Sequence, residues 1–396
     1  MPQPNRLTWN QKLQLMQRIE SGSKPLAQVA HRFQISRQTL YKWLRRFRSG
    51  GPLALQESSR RAHRRPHALA RLWLDRIEQV RRRYPRWGPK KIRAWLRRHH
   101  PRGRLPATST VGAALGRLGL VHRRPRRRPG PVVRTGAVKV ARQPNDVWTV
   151  DFKGWFRTLD RQRCEPLTVR DLHSRYGLLA QVLVDQRWRR VQGQFMRLFQ
   201  RRGQPRSIRC DNGSPFGTTG PAGLSALSAW WISLGIEVQF IRPACPQDNG
   251  SHEQWHRELK ADTTRPAAAT AVSQQARTNR WLDQYNELRP HEALAQTVPA
   301  RHYRRSRRGY QGIVGPNYPK LWAVRRVRTN GQIRWQGRLR FIGEAFVGAA
   351  VGLHRHRNRV WRVYFYHVLL GELHDHDEGG LRAAIHRRRG TQPRKV

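Results

Sequence analysis

The stretch VWTVDFKGWF, residues 147–156, sets a lone aspartate inside an otherwise apolar run. β-Branched and aromatic residues surround Asp151, which predicts a strand. A carboxylate in such a strand is costly to bury alone, so a partner or a metal ion is expected beside it. Next, EPLTVRDLHSRYGLLAQVLVD (165–185) reads as two further strands neighbouring the first. Helices and strands then alternate. RWRRVQGQFMRLFQRRG (187–203) is helical, PRSIRCD (205–211) a strand and AGLSALSAWWISLG (222–235) a helix. IEVQFIR (236–242) is a strand and DNGSHEQWHRELKAD (248–262) a helix. Three antiparallel strands followed by this alternation predict an α/β domain with a mixed five-stranded sheet. Its span is 144–305, trailing helices included.

Upstream the pattern is helical. TWNQKLQLMQRIESG (8–22) places Leu13, Met16 and Ile19 at helical spacing and stops at Ser-Gly. In KPLAQVAHRFQISRQTLYKWLRRF (24–47), Leu26, Val29 and Ala30 mark a short helix, and Phe33 to Ile35 a tight turn. Ser36 is suited to cap a second helix that turns Leu40, Trp43 and Leu44 inward. The result is a helix-turn-helix over 1–48, with Arg37, Gln38, Thr39, Tyr41 and Lys42 facing out to meet DNA. Residues 49–67 are rich in Gly, Ser and Arg and read as a linker. A second, helix-turn-helix-like unit follows over 68–121, with Ile92, Trp95 and Leu96 in phase and Thr108 or Ser109 as a cap. Two readers on a flexible tether gain affinity by effective concentration.

Residues 122–143 hold no acid and are punctuated by proline, the mark of an extended basic linker that can lie along phosphates. At the other end, 318–376 alternate apolar and polar residues with a turn at Asn330-Gly331, which predicts a small all-β barrel. A basic tail, 377–396, is expected to be disordered.

The charge balance agrees with a nucleic-acid partner. The chain of 396 residues carries 79 Lys+Arg against 24 Asp+Glu, a net +55. A charge of that size repels itself in a compact protein unless a polyanion offsets it. Acids are scarcest up to residue 143, with 4 against 36 basic side chains, and return in the α/β segment. Three cysteines, Cys164, Cys210 and Cys245, form no C-x-x-C pair, which argues against a disulfide scaffold or a zinc knuckle. No apolar run approaches a membrane span or a signal-peptide core, so a cytoplasmic, nucleoid-associated protein is expected.

Three acids stand where chemistry could occur. Asp151 lies in the first strand, Asp211 just past another in CDNGSPF, and Glu253 in the first turns of a helix. Brought together, such carboxylates can hold paired divalent ions. Glu253 also lies within HEQWH (252–256), which matches the H-E-x-x-H signature of zinc proteases. That signature belongs in mid-helix with a third ligand downstream, whereas here Pro246 and Gly250 place it at a helix start.

The series NDVWTVDFKG, VRDLHSRY, CDNGSPF, QDNGSHEQWHRELK and YNELRPHEALAQTVPARHY resembles the integrase-type core of bacterial insertion-sequence transposases. Those enzymes belong with retroviral integrases in a superfamily carrying a DDE triad on a ribonuclease-H-like fold. The likeness covers about 144–303, and the helix-turn-helix units are similar to those of such transposases. It implies that Asp151, Asp211 and Glu253 form the catalytic triad and ligate two Mg²⁺ ions, with Mn²⁺ able to substitute. It further implies a homodimer or larger assembly on double-stranded DNA, binding terminal inverted repeats, cutting, and transferring strands by 3′-hydroxyl attack. The competing reading is a transposase-derived DNA-binding regulator without catalysis, whose mark would be a missing acid.

One departure stands out: 41 residues separate Asp211 from Glu253, more than is common in that superfamily. The excess falls in GTTGPAGLSALS (217–228). DNGS occurs twice, at 211–214 and 248–251, and Asp248 is suited to cap the helix rather than to catalysis. Asp171 is a candidate fourth acid but is rather expected to order a strand turn or pair with Arg175. Arg257 and Lys260 share the Glu253 helix and suit phosphate contacts. Arg289 and His291 either touch DNA or pack, and His252 and His256 line a DNA channel or pack.

Overall fold

The computed structural model describes residues 7–22, 25–57, 69–121, 140–242 and 250–383. The chain divides into two units, Met1–Ala70 and Arg71–Val396, each taken here by itself.

The first unit holds α1 (Trp9–Glu20), α2 (Leu26–Arg32) and α3 (Arg37–Gly50). Thr8 and Gln11 form a capping box at the start of α1, and Ser36 Oγ accepts from the Thr39 amide at the start of α3. Leu15, Met16, Leu40 and Leu44 meet in a buried cluster. Gln34 takes positive φ in the tight turn between α2 and α3. The helix-turn-helix runs past its expected end, because the turn Pro52–Leu55 folds back and buries Leu55 at 2% exposure. Of the expected linker, only 58–67 lies outside the described residues. Ser36→Ala is expected to destabilise this unit by about 1 kcal/mol, the usual worth of a serine N-cap. Thermal unfolding compared with wild type measures it.

The second unit begins with α4 (Arg71–Arg83), α5 (Pro89–His99) and α6 (Thr108–Arg117), whose core includes Ile77, Ile92, Leu96 and Val111, all fully buried. The expected cap differs: Ala107 is the N-cap of α6 and offers no side-chain bond, so Thr108 and Ser109 lie inside the helix.

The mixed sheet is formed by β1 (Val147–Phe152), β2 (Phe156–Arg157), β3 (Arg163–Asp171) and β4 (Gly177–Leu183), then β5 (Ser207–Cys210) and β6 (Glu237–Phe240). β1 pairs antiparallel with β3 and parallel with β5, β3 pairs antiparallel with β4, and β5 pairs parallel with β6. The five strands expected are present, and the two-residue β2 extends them. The helices α7 (Trp188–Arg202) and α8 (Ala226–Ser233) connect the later strands. Their Phe195, Phe199 and Trp231 pack with Trp148 and Val150 of β1 in the main core.

Two further helices complete the domain, α9 (Gly250–Thr263) and α10 (Ala271–Glu287). α10 covers the free edge of β4. Gln275 bonds Val182 N and Ala180 O, while Asn286 bonds both backbone groups of Gly177. The approach is so close that a Cβ on Gly177 would lie 2.4 Å from Leu282 Cδ1. Side-chain amides thus satisfy ladder groups that would otherwise invite a foreign strand.

The C-terminal strands are β7 (Ala323–Arg326), β8 (Gln332–Trp335), β9 (Arg338–Phe341), β10 (Ala350–Arg357), β11 (Val360–Phe365) and β12 (Val368–His374). They do not close into the expected barrel. An open antiparallel sheet runs in the order β12-β11-β10-β7, and β8-β9 is a separate hairpin. Closure is unnecessary because the apolar face is covered from the α/β domain: Leu224, Ala229 and Ile232 share a core with Ile333, Phe346, Val351 and Phe365. Part of the segment 217–228, between the second and third acids, also contributes here. Its Gly217–Leu224 bridge closes a compact loop whose last residue enters that shared core. The first part of the tail expected to be disordered is held in place, since Arg382 pairs with Glu372 of β12 and Leu381 N donates to Phe341 O; residues 384–396 lie outside the described residues.

Candidate active site

Asp151 and Asp211 come to the same end of the sheet by topology. Asp151 is near the end of β1, and β5, the parallel neighbour of β1, runs out into Asp211. Adjacent parallel strands deliver their C-terminal ends to one edge, where open α/β sheets place their sites. Glu253 occupies the first turn of α9, which begins directly after residues 243–249, and is exposed. Asp248, with its expected capping role, and Cys245 lie outside the described residues.

The electrostatics record the crowding. Burial, with the charge of Asp211 next and that of Glu253 behind it, pushes the Asp151 carboxyl up to about 7. Burial also raises Asp211, whose Oδ1 has no hydrogen-bond partner. Among the described residues, no three Asp, Glu, His or Cys side chains already converge as a metal-holding group. Of the two other acids, Asp211 acts on Asp151 more strongly and Glu253 less.

The two histidines of HEQWH are buried, and a single hydroxyl serves both. Thr168 Oγ1 lies 2.7 Å from His252 Nε2 and 2.6 Å from His256 Nε2, and donates to Asp151 O at 2.8 Å. A hydroxyl has one proton, so both imidazoles must donate from Nε2. His252 Nδ1 then accepts from Thr149 Oγ1 at 2.7 Å. His256 Nδ1 is left with a lone pair 3.7 Å from Asp151 Oδ2. Burial, with Lys153 and Arg170 adding, lowers His256 to about 3, so no ion pair links it to Asp151. A lone pair facing a carboxylate oxygen is relieved by a proton or by a cation. The Asp211 oxygen without a hydrogen-bond partner is likewise a donor of the kind a divalent ion takes. A zinc-protease arrangement does not fit, because both Nε2 atoms are committed to Thr168 and Glu253 points to solvent.

Beside Glu253 a groove of about 350 Å³ is lined by Lys153, Arg257, Lys260, Arg265 and Arg86, with His256 at its wall. Arg257 and Lys260 are exposed, as their place on the helix suggested. Arg86, from the turn after α4, reaches the groove through an ion pair with Asp262 at 2.7 Å. Sequence reasoning missed Lys153, Thr149, Thr168, Arg86 and Arg265. The one local signal was a threonine amid apolar neighbours in β3, and Thr168 is the register partner of Asp151.

Other expected residues resolve differently. Asp171 is fully buried and accepts from Asn145 N, Ser174 N and Ser174 Oγ, so it orders the turn after β3. Arg289 packs, paired with Glu258 at 2.6 Å. On α3, Arg37, Gln38, Tyr41 and Lys42 are exposed, but Thr39 Oγ1 is engaged with Ser36 Oγ at 2.8 Å.

Comparison with known proteins matches segments along the chain. The family described as integrase core domain matches residues 141–246, and a second integrase core domain family matches 234–299. A helix-turn-helix domain matches 11–65 and a homeodomain-like domain 39–115. The C-terminal domain of the IS481 family transposases matches 322–377. An uncharacterized 31.7 kDa protein of insertion element IS407 from Burkholderia multivorans is 26% identical over 188 residues, 46% of this chain and 64% of that protein. An uncharacterized 39.2 kDa protein of insertion element IS476 from Xanthomonas euvesicatoria is 29% identical over 185 residues, 45% of this chain and 50% of that one. The chain thus spans less than two thirds of the length of either relative. Among solved structures, the HTLV-2 integrase catalytic core domain is 14% identical with a TM-score of 0.33, covering 42% of this chain and 100% of that one. The BIV integrase core has 20% identity and a TM-score of 0.31, covering 40% of this chain and 93% of its own.

Proposed function

We propose that this chain, which by its matched segments belongs with the insertion-sequence transposases of the integrase superfamily, cleaves DNA at the ends of a mobile element and joins the freed 3′-hydroxyls to target DNA. The observation that carries this reading is the coupled Asp151–Asp211 pair beside a basic groove. Asp151, Asp211 and Glu253 are the residues that would hold divalent cations. When bound, Mg²⁺, or Mn²⁺ in its place, would activate the attacking oxygen and stabilise the leaving one.

The protein's own share is positioning and charge. Lys153, Arg257 and Lys260 would seat the phosphates flanking the scissile bond, so that the nucleophile meets phosphorus in line. Thr168 and the two neutral histidines hold α9 against β1 and β3, and so fix the turn that carries Glu253. Arg37, Gln38, Tyr41 and Lys42 would read base edges in the terminal inverted repeats. Joining two ends calls for at least a homodimer on DNA, in the bacterial cytoplasm at the nucleoid.

The test is incubation of full-length protein with labelled element-end DNA and Mg²⁺ or Mn²⁺. Metal-dependent 3′-end cleavage and joined products are expected. Specific end binding with no cleavage in either metal would instead support a DNA-binding regulator.

Lys260→Ala is expected to weaken binding similarly across DNA sequences and to flatten the salt dependence of affinity by about one counterion, the behaviour of a phosphate contact. Fluorescence anisotropy over a salt series checks this. A change confined to one DNA sequence would rule out the phosphate role.

A further inference from the structure

On the other side of α9 from the basic groove lies a second cavity, of about 290 Å³, that no part of the proposed reaction uses. Its walls bring Lys91 of α5 together with Arg170 and Arg175 of the core, His291, and Ser251 in the first turn of α9. We propose that this cavity is a binding site for a phosphate group.

Four observations support the assignment. Arg170 is only 3% exposed, donates to Ser251 Oγ at 2.7 Å, and keeps a buried Nε with no partner. His291 Nε2 is likewise buried and without a partner, as is the Nε of neighbouring Arg289. Two carboxylates, Glu258 and Glu292, also stand on the cavity walls, and both are already engaged, Glu258 with Arg289 and Glu292 with Lys90, as is Asp262 beyond it with Arg86. Finally, the groups repel one another. His291 is pushed down to about 2, first by burial and then by Lys91, Arg289, Arg170 and Arg175. Burial and then Arg289 lower Lys91 to about 8, against the smaller opposing pull of Glu258, Glu292 and Asp262.

Desolvated like charges with unspent donors are costly unless an anion joins them. Guanidinium forks and an ammonium suit the several oxygens of a phosphate. A water takes about 30 Å³, so the cavity admits one such group with part of its hydration. Its occupant would bridge α5, the core and the turn two residues before Glu253, and so would steady the start of α9.

The site stands apart from the cleavage reaction; only the identification of its anion with a DNA phosphate rests on the proposed function. The test uses full-length protein and thermal unfolding in sodium phosphate against sodium chloride at matched ionic strength. Wild type is expected to melt higher in phosphate. Arg175→Gln and Lys91→Gln, both half-buried positions that keep Arg170 in place, are expected to lose most of that gain. Arg201→Gln, an exposed change of equal charge elsewhere, should retain it. No gain in wild type, or equal gains in all four proteins, overturns the proposal. Duplex binding over a salt series then separates the sources. A slope shallower by about 0.9 in the two variants assigns the site to the DNA backbone. An unchanged slope, with the phosphate effect lost, assigns it to free phosphate. Neither readout requires cleavage, so a failed cleavage assay leaves this test intact.

Discussion

Asp151→Asn is expected to reduce strand transfer by about a thousand-fold or more, the scale set by removing a group that acts on transition-state charge. The same change should make the metal-free protein more stable. The Asp151 carboxyl is raised from 3.8 to about 7 by burial first and by Asp211 next. Between those values the folded protein keeps a proton that the unfolded chain has released. Stability attributable to this group is therefore full below 3.8, falls as pH rises through the window, and levels off above 7. Asparagine removes the penalty. Its advantage should be absent at low pH, grow across the window, and then hold constant. The buried histidines titrate with the opposite sign, and His252, which does not touch the Asp151 carboxyl, contributes alike to both proteins. Paired denaturation curves across pH check the stability arm, and gel-resolved transfer products check the catalytic arm. Retained transfer would remove Asp151 from the chemistry, and a pH-independent stability difference would remove the crowding. Added Mg²⁺ should stabilise wild type more than the variant, most clearly above pH 7, where the carboxylate is free to bind it.

Thr168→Val carries the second large expectation. Valine keeps the shape of threonine, so the loss is one hydroxyl with three partners: Asp151 O, His252 Nε2 and His256 Nε2. The site is fully buried, and water cannot replace what is lost. Each buried polar group left without a partner costs roughly 1–3 kcal/mol, so a loss of about 3 kcal/mol or more is expected. Strand transfer should fall as well, because these bonds tie α9 to the strand carrying Asp151. End binding by the first unit should persist. Thr168→Ser, which keeps the hydroxyl, should recover most of both. A valine variant as stable as wild type would show that the bracket bears no load.

Much of this was open to a reading of the residues. The helical spacing of Leu40 and Leu44, with Ser36 before them, located α3 and its cap. The run around Asp151 located β1, and the alternation after it located the α/β order. The settings of Asp151 and Asp211, one inside β1 and one just past β5, could also be read from the residues. Other features were not legible. A barrel is the natural reading of alternating residues in 318–376, since alternation reports one apolar face and not what covers it. Here Leu224 and α8 cover it, so the sheet stays open. Arg289 could have met DNA or protein, and only the position of Glu258 across from it decided the matter.

What the sequence by itself determined was local or additive: element types, caps, the order of the acids, and a charge of +55 that calls for a polyanion. Such features depend on neighbours within a turn or two, or on a sum over the chain. The tertiary structure alone decided that Thr168 lies opposite Asp151 and receives two histidines from α9, 84 and 88 residues further along. It also decided that Lys91 and Arg170 line one cavity. Contacts so distant in sequence follow from strand register and helix docking, which the packing of the whole core sets and no short stretch encodes.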